Sequence, residues 1–114
     1  MTNPDLLSLE ETLERMTGDR ELLYNLFQLF VADAPKKLAA IAAGLADGDA
    51  YQVERTAHSL KGASATVGAL RLCGVAAELE QAAKRQDQAA MEALRGTLED
   101  VCAQTLDAMG EFSI

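Results

Sequence analysis

An all-α fold is predicted by three features of the sequence. Segments dense in Ala, Leu and Glu are separated by short breaks that carry glycine and proline, and apolar residues within the segments recur three and four positions apart. Aromatic residues make up only 4% of the 114 residues, which argues against a sandwich or barrel. The breaks are short, so consecutive helices should be antiparallel neighbours. The expected architecture is therefore an antiparallel up-and-down four-helix bundle with a short additional N-terminal helix. Residues 1–114 read as a single domain, because the chain has no Gly/Ser-rich linker, charge block, internal repeat or low-complexity tract.

The short first helix opens at Asn3 and Pro4, a capping side chain followed by a residue whose missing N–H costs nothing in the first turn. Leu6, Leu9, Leu13 and Met16 then recur at helical spacing, and Gly18 closes the segment. Asp19 caps the next helix, where Leu22, Leu23, Leu26, Phe27, Leu29, Phe30 and Val31 form a stripe too wide for a free surface helix and predict deep packing. Pro35 interrupts this pattern, yet Leu38, Ile41, Ala42 and Leu45 resume it. Either one kinked helix or two abutting ones runs to Asp47 and Gly48.

Asp49 caps a third main segment with Val53, Ala57, Leu60, Ser64 and Val67 on its inner face, ending at Gly68. After a tight turn, Leu72, Val75, Ala76, Leu79 and Ala83 define a helix that runs out near Arg85 and Gln86. Asp87 caps the last one, with Ala90, Met91, Leu94, Leu98, Val101 and Thr105 inward and Gly110 near its end.

Charge and composition exclude several function classes. A formal net charge of −8 with ten scattered basic residues disfavours nucleic acid, whose backbone is bound by clustered Lys and Arg, and disfavours an anionic membrane surface. No apolar run approaches the roughly 20 residues that span a bilayer, and the start has neither the basic nor the apolar part of a signal peptide. A cytoplasmic location is expected. Cys73 and Cys102 stand alone among apolar helical residues and read as buried thiols rather than a disulfide or metal pair.

The most informative stretch is Ala57, His58, Ser59, Leu60, Lys61, Gly62, which contains the only histidine. At about 100° per residue, Lys61 lies about 60° to one side of His58 and Gly62 about 40° to the other, so the three share a face. The inner stripe is centred on the order of 120° away, which turns His58 to solvent. An exposed imidazole is mostly neutral at pH 7 and leaves a ring nitrogen free to attack phosphorus. Lys61 brings a positive charge to a phosphoryl group without a metal. Gly62 costs about 1 kcal/mol relative to Ala in a helix interior, and the return would be close approach by a partner's backbone. Ala65, small and on the same face, extends that clearance.

If the hairpin turns around Ala69, His58 lies opposite about residue 80, which is Glu80. A carboxylate there would accept the second ring N–H and so set which nitrogen is free. Taken singly, these residues have ordinary readings: a lone helical histidine is usually a surface residue, Lys61 and Glu80 solvated charges, Gly62 a tolerated helix glycine. Their joint occurrence is what points to phosphate chemistry. A metal site lacks a second histidine or a suitably placed cysteine. Ser59 and Ser64 lie in no strained strand-to-helix turn and read as ordinary helix residues rather than nucleophiles.

The stretch from Ala57 through Ala69, with Leu72 and the pair Leu79, Glu80, resembles the histidine-containing phosphotransfer domain of bacterial phosphorelays. That family carries His, Lys and Gly at this spacing, small residues after them and a second Gly ten positions past the His. The Pro35 region and the Asp87-capped helix resemble it too. The resemblance implies a four-helix bundle whose exposed His58 takes a phosphoryl group from an aspartyl phosphate on a response-regulator receiver domain and passes it to another receiver. It implies Lys61 as phosphate neighbour, Gly62 as the clearance position, and Glu80 where related modules place a Gln or Glu on the imidazole. It leaves open a relay intermediate or a phosphoacceptor domain of chemotaxis kinases. Apolar residues near Leu6 to Met16 are candidates for receiver docking.

Such a domain is a phosphoryl carrier, not an enzyme: the chain has no Mg²⁺ cluster, nucleotide-binding glycine loop or hydrolytic base, so no cofactor of its own is expected. The acidic pocket and the Mg²⁺ are expected on the partner receiver. A stand-alone, monomeric cytoplasmic carrier is the expectation, with a fragment of a hybrid sensor histidine kinase as the alternative origin and such a kinase as a further partner class. A rival from another class is a helical adaptor or scaffold that binds a partner through the same face without carrying phosphate.

Overall fold

The structure, a computed structural model, describes residues 6–114. It contains α1 (Leu9–Arg15), α2 (Arg20–Ala46), α3 (Ala50–Thr66), α4 (Leu70–Lys84) and α5 (Gln88–Gly110). Helices α2 to α5 form the bundle: α2 packs on α3, α3 most extensively on α4, α4 on α5, and α5 closes the ring on α2. This is the predicted up-and-down topology, with α1 as the additional short helix. No helix is long and apolar enough to cross a membrane among the described residues.

The predicted helix starts hold where an aspartate stands before an apolar-periodic run. Asp19, Asp49 and Asp87 accept hydrogen bonds from the backbone N–H groups of Leu22, Gln52 and Ala90 at 3.0, 3.0 and 3.1 Å, satisfying donors that the first helical turn leaves unpaired. The Asn3–Pro4 start lies outside the described residues. Among those described, α1 begins only at Leu9, and Leu6 sits in a turn ahead of it rather than on the helix.

Two expectations about α2 are resolved by packing. Pro35 lies inside one continuous 27-residue helix. It removes the bond to the Val31 carbonyl, but both residues are on the exposed side, where solvent replaces that bond. The apolar stripe, in contrast, is not uniformly packed. Leu23, Phe27 and Phe30 are buried, whereas Leu22, Leu29 and Val31 are exposed, Leu29 to 67%. A bundle helix offers its neighbours an arc of roughly 100° or somewhat more, and a stripe that wraps further has to leave its edges in solvent.

The core is one cluster that includes Leu23, Phe27, Ile41, Leu60, Leu79 and Leu98. At its far end Phe112 packs edge-on to Phe27 with ring centroids 5.3 Å apart, and the Arg20 guanidinium lies 4.6 Å from the Phe112 centroid. Leu9, Leu13 and Met16 of the first segment are half-buried against the core, so the Leu6 to Met16 stretch is largely packing surface, while Leu22, Leu29, Val31, Tyr51 and Leu70 are the large apolar side chains exposed within the helices. Cys102 is buried, and burial pushes its thiol up; Cys73 is half-buried; both are free thiols.

The α3–α4 turn is anchored by Gly68, whose φ of +76° suits a residue without a side chain. Its carbonyl accepts from Ser8 N at 2.9 Å, and Thr12, fully buried, turns its Oγ1 to the Ser8 carbonyl at 2.6 Å. The first segment is thus clamped onto the hairpin that sets the register between α3 and α4. That register positions the site.

Candidate functional site

His58 and Lys61 stand on α3, and Glu80 on the facing helix α4. Ala57 and Leu60 anchor the inner side of α3 at zero exposure, which by helical geometry turns His58 outward. Its side chain is 67% exposed. Across the hairpin, Leu79 and Ala83 fasten α4 to the core and leave Glu80 at the seam, only 4% exposed.

Glu80 organises the site. Its Oε2 lies 2.9 Å from His58 Nδ1, and its Oε1 accepts a hydrogen bond from Lys61 Nζ at 2.6 Å. Lys84, one turn further along α4, places Nζ 3.9 Å from Oε2. The Lys61 ammonium above all, with the His58 contact adding to it, holds the Glu80 carboxyl below the usual carboxylate range, against desolvation that pushes it the other way. An ionised carboxylate can only accept, so its ring partner Nδ1 carries a proton, and in the neutral form of the ring the lone pair is then on Nε2. The Nδ1 edge of the ring is held by Glu80 while the side chain as a whole remains largely exposed.

The five residues singled out by sequence separate into two groups. His58, Lys61 and Glu80 form a hydrogen-bonded triad across two helices. Gly62 and Ala65 touch none of this; both are exposed on α3 beside it. A Cβ built on Gly62 meets nothing within 4 Å, so this glycine serves no internal packing contact. Lys61 is engaged by Glu80 in this state, an arrangement that spacing along α3 did not reveal. Lys84 is the site residue that sequence reasoning missed; its signal was the i, i+4 relation to Glu80.

Beside the imidazole lies an open cleft of about 430 Å³ lined by Tyr51, Glu54, Arg55, His58, Ser59, Glu80 and Lys84. Arg55 donates to the Tyr51 hydroxyl at 3.3 Å and stacks over its ring, which commits that guanidinium to its own helix. No three His, Cys, Asp or Glu side chains come together as a metal site among the described residues.

Comparison with protein families matches residues 25–108 to the Hpt domain. The crystal structure of histidine-containing phosphotransfer protein B (HptB) from Pseudomonas aeruginosa PAO1 is similar to this one with a TM-score of 0.77, at 32% sequence identity over 97% of this chain and 91% of that chain. A comparison with curated proteins gave no match. With a family match across most of the chain and a shared bundle, the protein belongs to the Hpt domain family, the phosphocarriers of histidine phosphotransfer in two-component signalling.

Proposed function

We propose that His58 is the phosphorylated residue, taking a phosphoryl group from the aspartyl phosphate of one receiver domain and passing it to another. The observation that carries this reading is the Glu80 carboxylate on Nδ1 of an exposed imidazole. The Nε2 lone pair attacks phosphorus in line, the bond from phosphorus to the aspartyl oxygen breaks, and the carboxylate leaves with the electron pair. Nδ1 keeps its proton throughout, so the phosphorylated ring carries a positive charge that faces the anionic Glu80. Reversal onto a second receiver uses the same contacts.

Lys61, one turn from His58 on α3, turns toward the transferred group as its cation, while Gly62 and Ala65 leave room for the receiver's backbone. Glu80 orients the imidazole. The acidic pocket and the Mg²⁺ belong to the receiver, and this chain contributes the nucleophile and its orientation. In this reading residues 1–114 act as one monomeric carrier domain in the cytoplasm, fed through receiver domains that include those of hybrid sensor histidine kinases.

The test is incubation with a panel of phosphorylated receivers, followed by measurement of acid-labile, base-stable label on the chain. Label on wild type and none on His58→Gln is the expected result. Failure of every receiver to label wild type, or equal labelling of His58→Gln, would sink the carrier reading and leave a helical adaptor in its place.

A further inference from the structure

The buried carboxylate of Glu80 has more cationic neighbours than the resting site uses. Lys61 and His58 occupy its two oxygens at hydrogen-bonding distance. Lys84 stands just outside that distance, 3.9 Å from Oε2, with a side chain that is 48% exposed. It also lines the cleft that holds His58. Arg55, the other cation of that cleft, is directed at Tyr51.

A carboxylate at 4% exposure depends on its ion partners, because removal of one leaves charge that solvent does not compensate. Phosphotransfer asks Lys61 to do two things at once. It is the closest partner of Glu80, at 2.6 Å, and in the proposed reading also the cation that meets the group arriving at Nε2. The phosphorylated ring holds Oε2 through Nδ1–H, but within the triad no second cation remains on the carboxylate once Lys61 turns away.

We propose that Lys84 is a positioning residue for phosphotransfer: it closes on the Glu80 carboxylate when Lys61 turns to the phosphoryl group, so that Glu80 stays paired and the imidazole stays oriented. The movement needed to reach Oε2, which accepts from both the ring and an ammonium, is roughly 1 Å, the difference between the resting separation of 3.9 Å and a charge-assisted hydrogen bond. Glu80 precedes Lys84 by one turn on α4, the favourable order for such a pair. The proposal rests on the reading of His58 as the phosphorylated residue. The competing role is purely structural, since Lys84 ends α4 and a cation there complements the helix dipole.

Four variants separate these roles: Lys84→Gln, Lys84→Arg, Lys61→Gln and the Lys61→Gln, Lys84→Gln pair. Two readouts are needed, single-turnover labelling of His58 by a phosphorylated receiver and the ¹³C titration of the Glu80 side-chain carboxyl in the unphosphorylated protein. Lys84→Gln should slow transfer about threefold to fivefold with its melting temperature little changed, and Lys84→Arg should restore the rate. Glu80 should titrate at a higher pH in the paired variant than in Lys61→Gln alone, because there Lys84 is the remaining ammonium. A wild-type rate in Lys84→Gln, or identical Glu80 titration in Lys61→Gln and the paired variant, would overturn the proposal. If His58 of wild type takes no label, the carrier reading fails instead, and the titration still decides whether Lys84 is the reserve partner of Glu80.

Discussion

Gly62→Ala separates stability from partner access at a single position. Gly62 lies inside α3, is exposed, and has open space where a Cβ would stand. In such a helix interior alanine is favoured over glycine by about 1 kcal/mol, with no clash to offset the gain. The unfolding entropy of a chain this long is roughly 0.24 kcal/mol/K, so the melting temperature should rise by about 4 °C. The same methyl projects ~1.5 Å from the backbone into the face that presents His58. A displacement of ~1 Å at a reacting centre can cost on the order of 100-fold in rate, and transfer from a phosphorylated receiver should fall at least about tenfold. Thermal melting by circular dichroism and single-turnover transfer measure the two effects on one sample. A lower melting temperature would mean that the glycine serves packing, and an unchanged transfer rate would remove its clearance role.

Two further substitutions test the frame around the site. Glu80→Gln should flatten the acid side of the stability profile. The folded-state carboxyl is held below its unfolded value, so its contribution is fully present above the ordinary carboxylate range and is lost as pH falls through the lowered value; urea midpoints from pH 7 to pH 3 should converge between variant and wild type at the acid end. Gly68→Ala should destabilise the protein by about 2 kcal/mol or more. It puts a side chain at a φ of +76° and drives its Cβ into Thr12 Oγ1, and urea denaturation would show a lower midpoint with the first segment loosened.

Most of the bundle was legible because local signals and the global fold agree. Asp19, Asp49 and Asp87 each precede an apolar run of helical period, and each is observed as a cap. Counting outward from the α3–α4 turn placed Glu80 opposite His58, since antiparallel helices of equal rise keep equidistant residues level. The exposure of Leu22, Leu29 and Val31 was not legible, because a stripe wider than one interface does not say which edge faces solvent. Leu6 reads as part of α1 because apolar spacing continues back to it, whereas the chain there bends to reach Gly68. The resting partner of Lys61 was hidden in the freedom of a four-carbon stem, which spacing does not constrain. Lys84 went unnoticed for a related reason: its distance from Glu80 along the helix is plain, but only burial of that carboxylate makes a third cation matter.

The central claim is that Nε2 of His58 carries the phosphoryl group while Nδ1–H stays on Glu80. The most direct measurement is ¹⁵N and ³¹P NMR of ring-labelled protein after transfer from a phosphorylated receiver. The account predicts phosphorus coupled to Nε2 of His58 and a protonated Nδ1 whose resonance shifts in Glu80→Gln. Phosphorus on Nδ1, or on any residue other than His58, would contradict it.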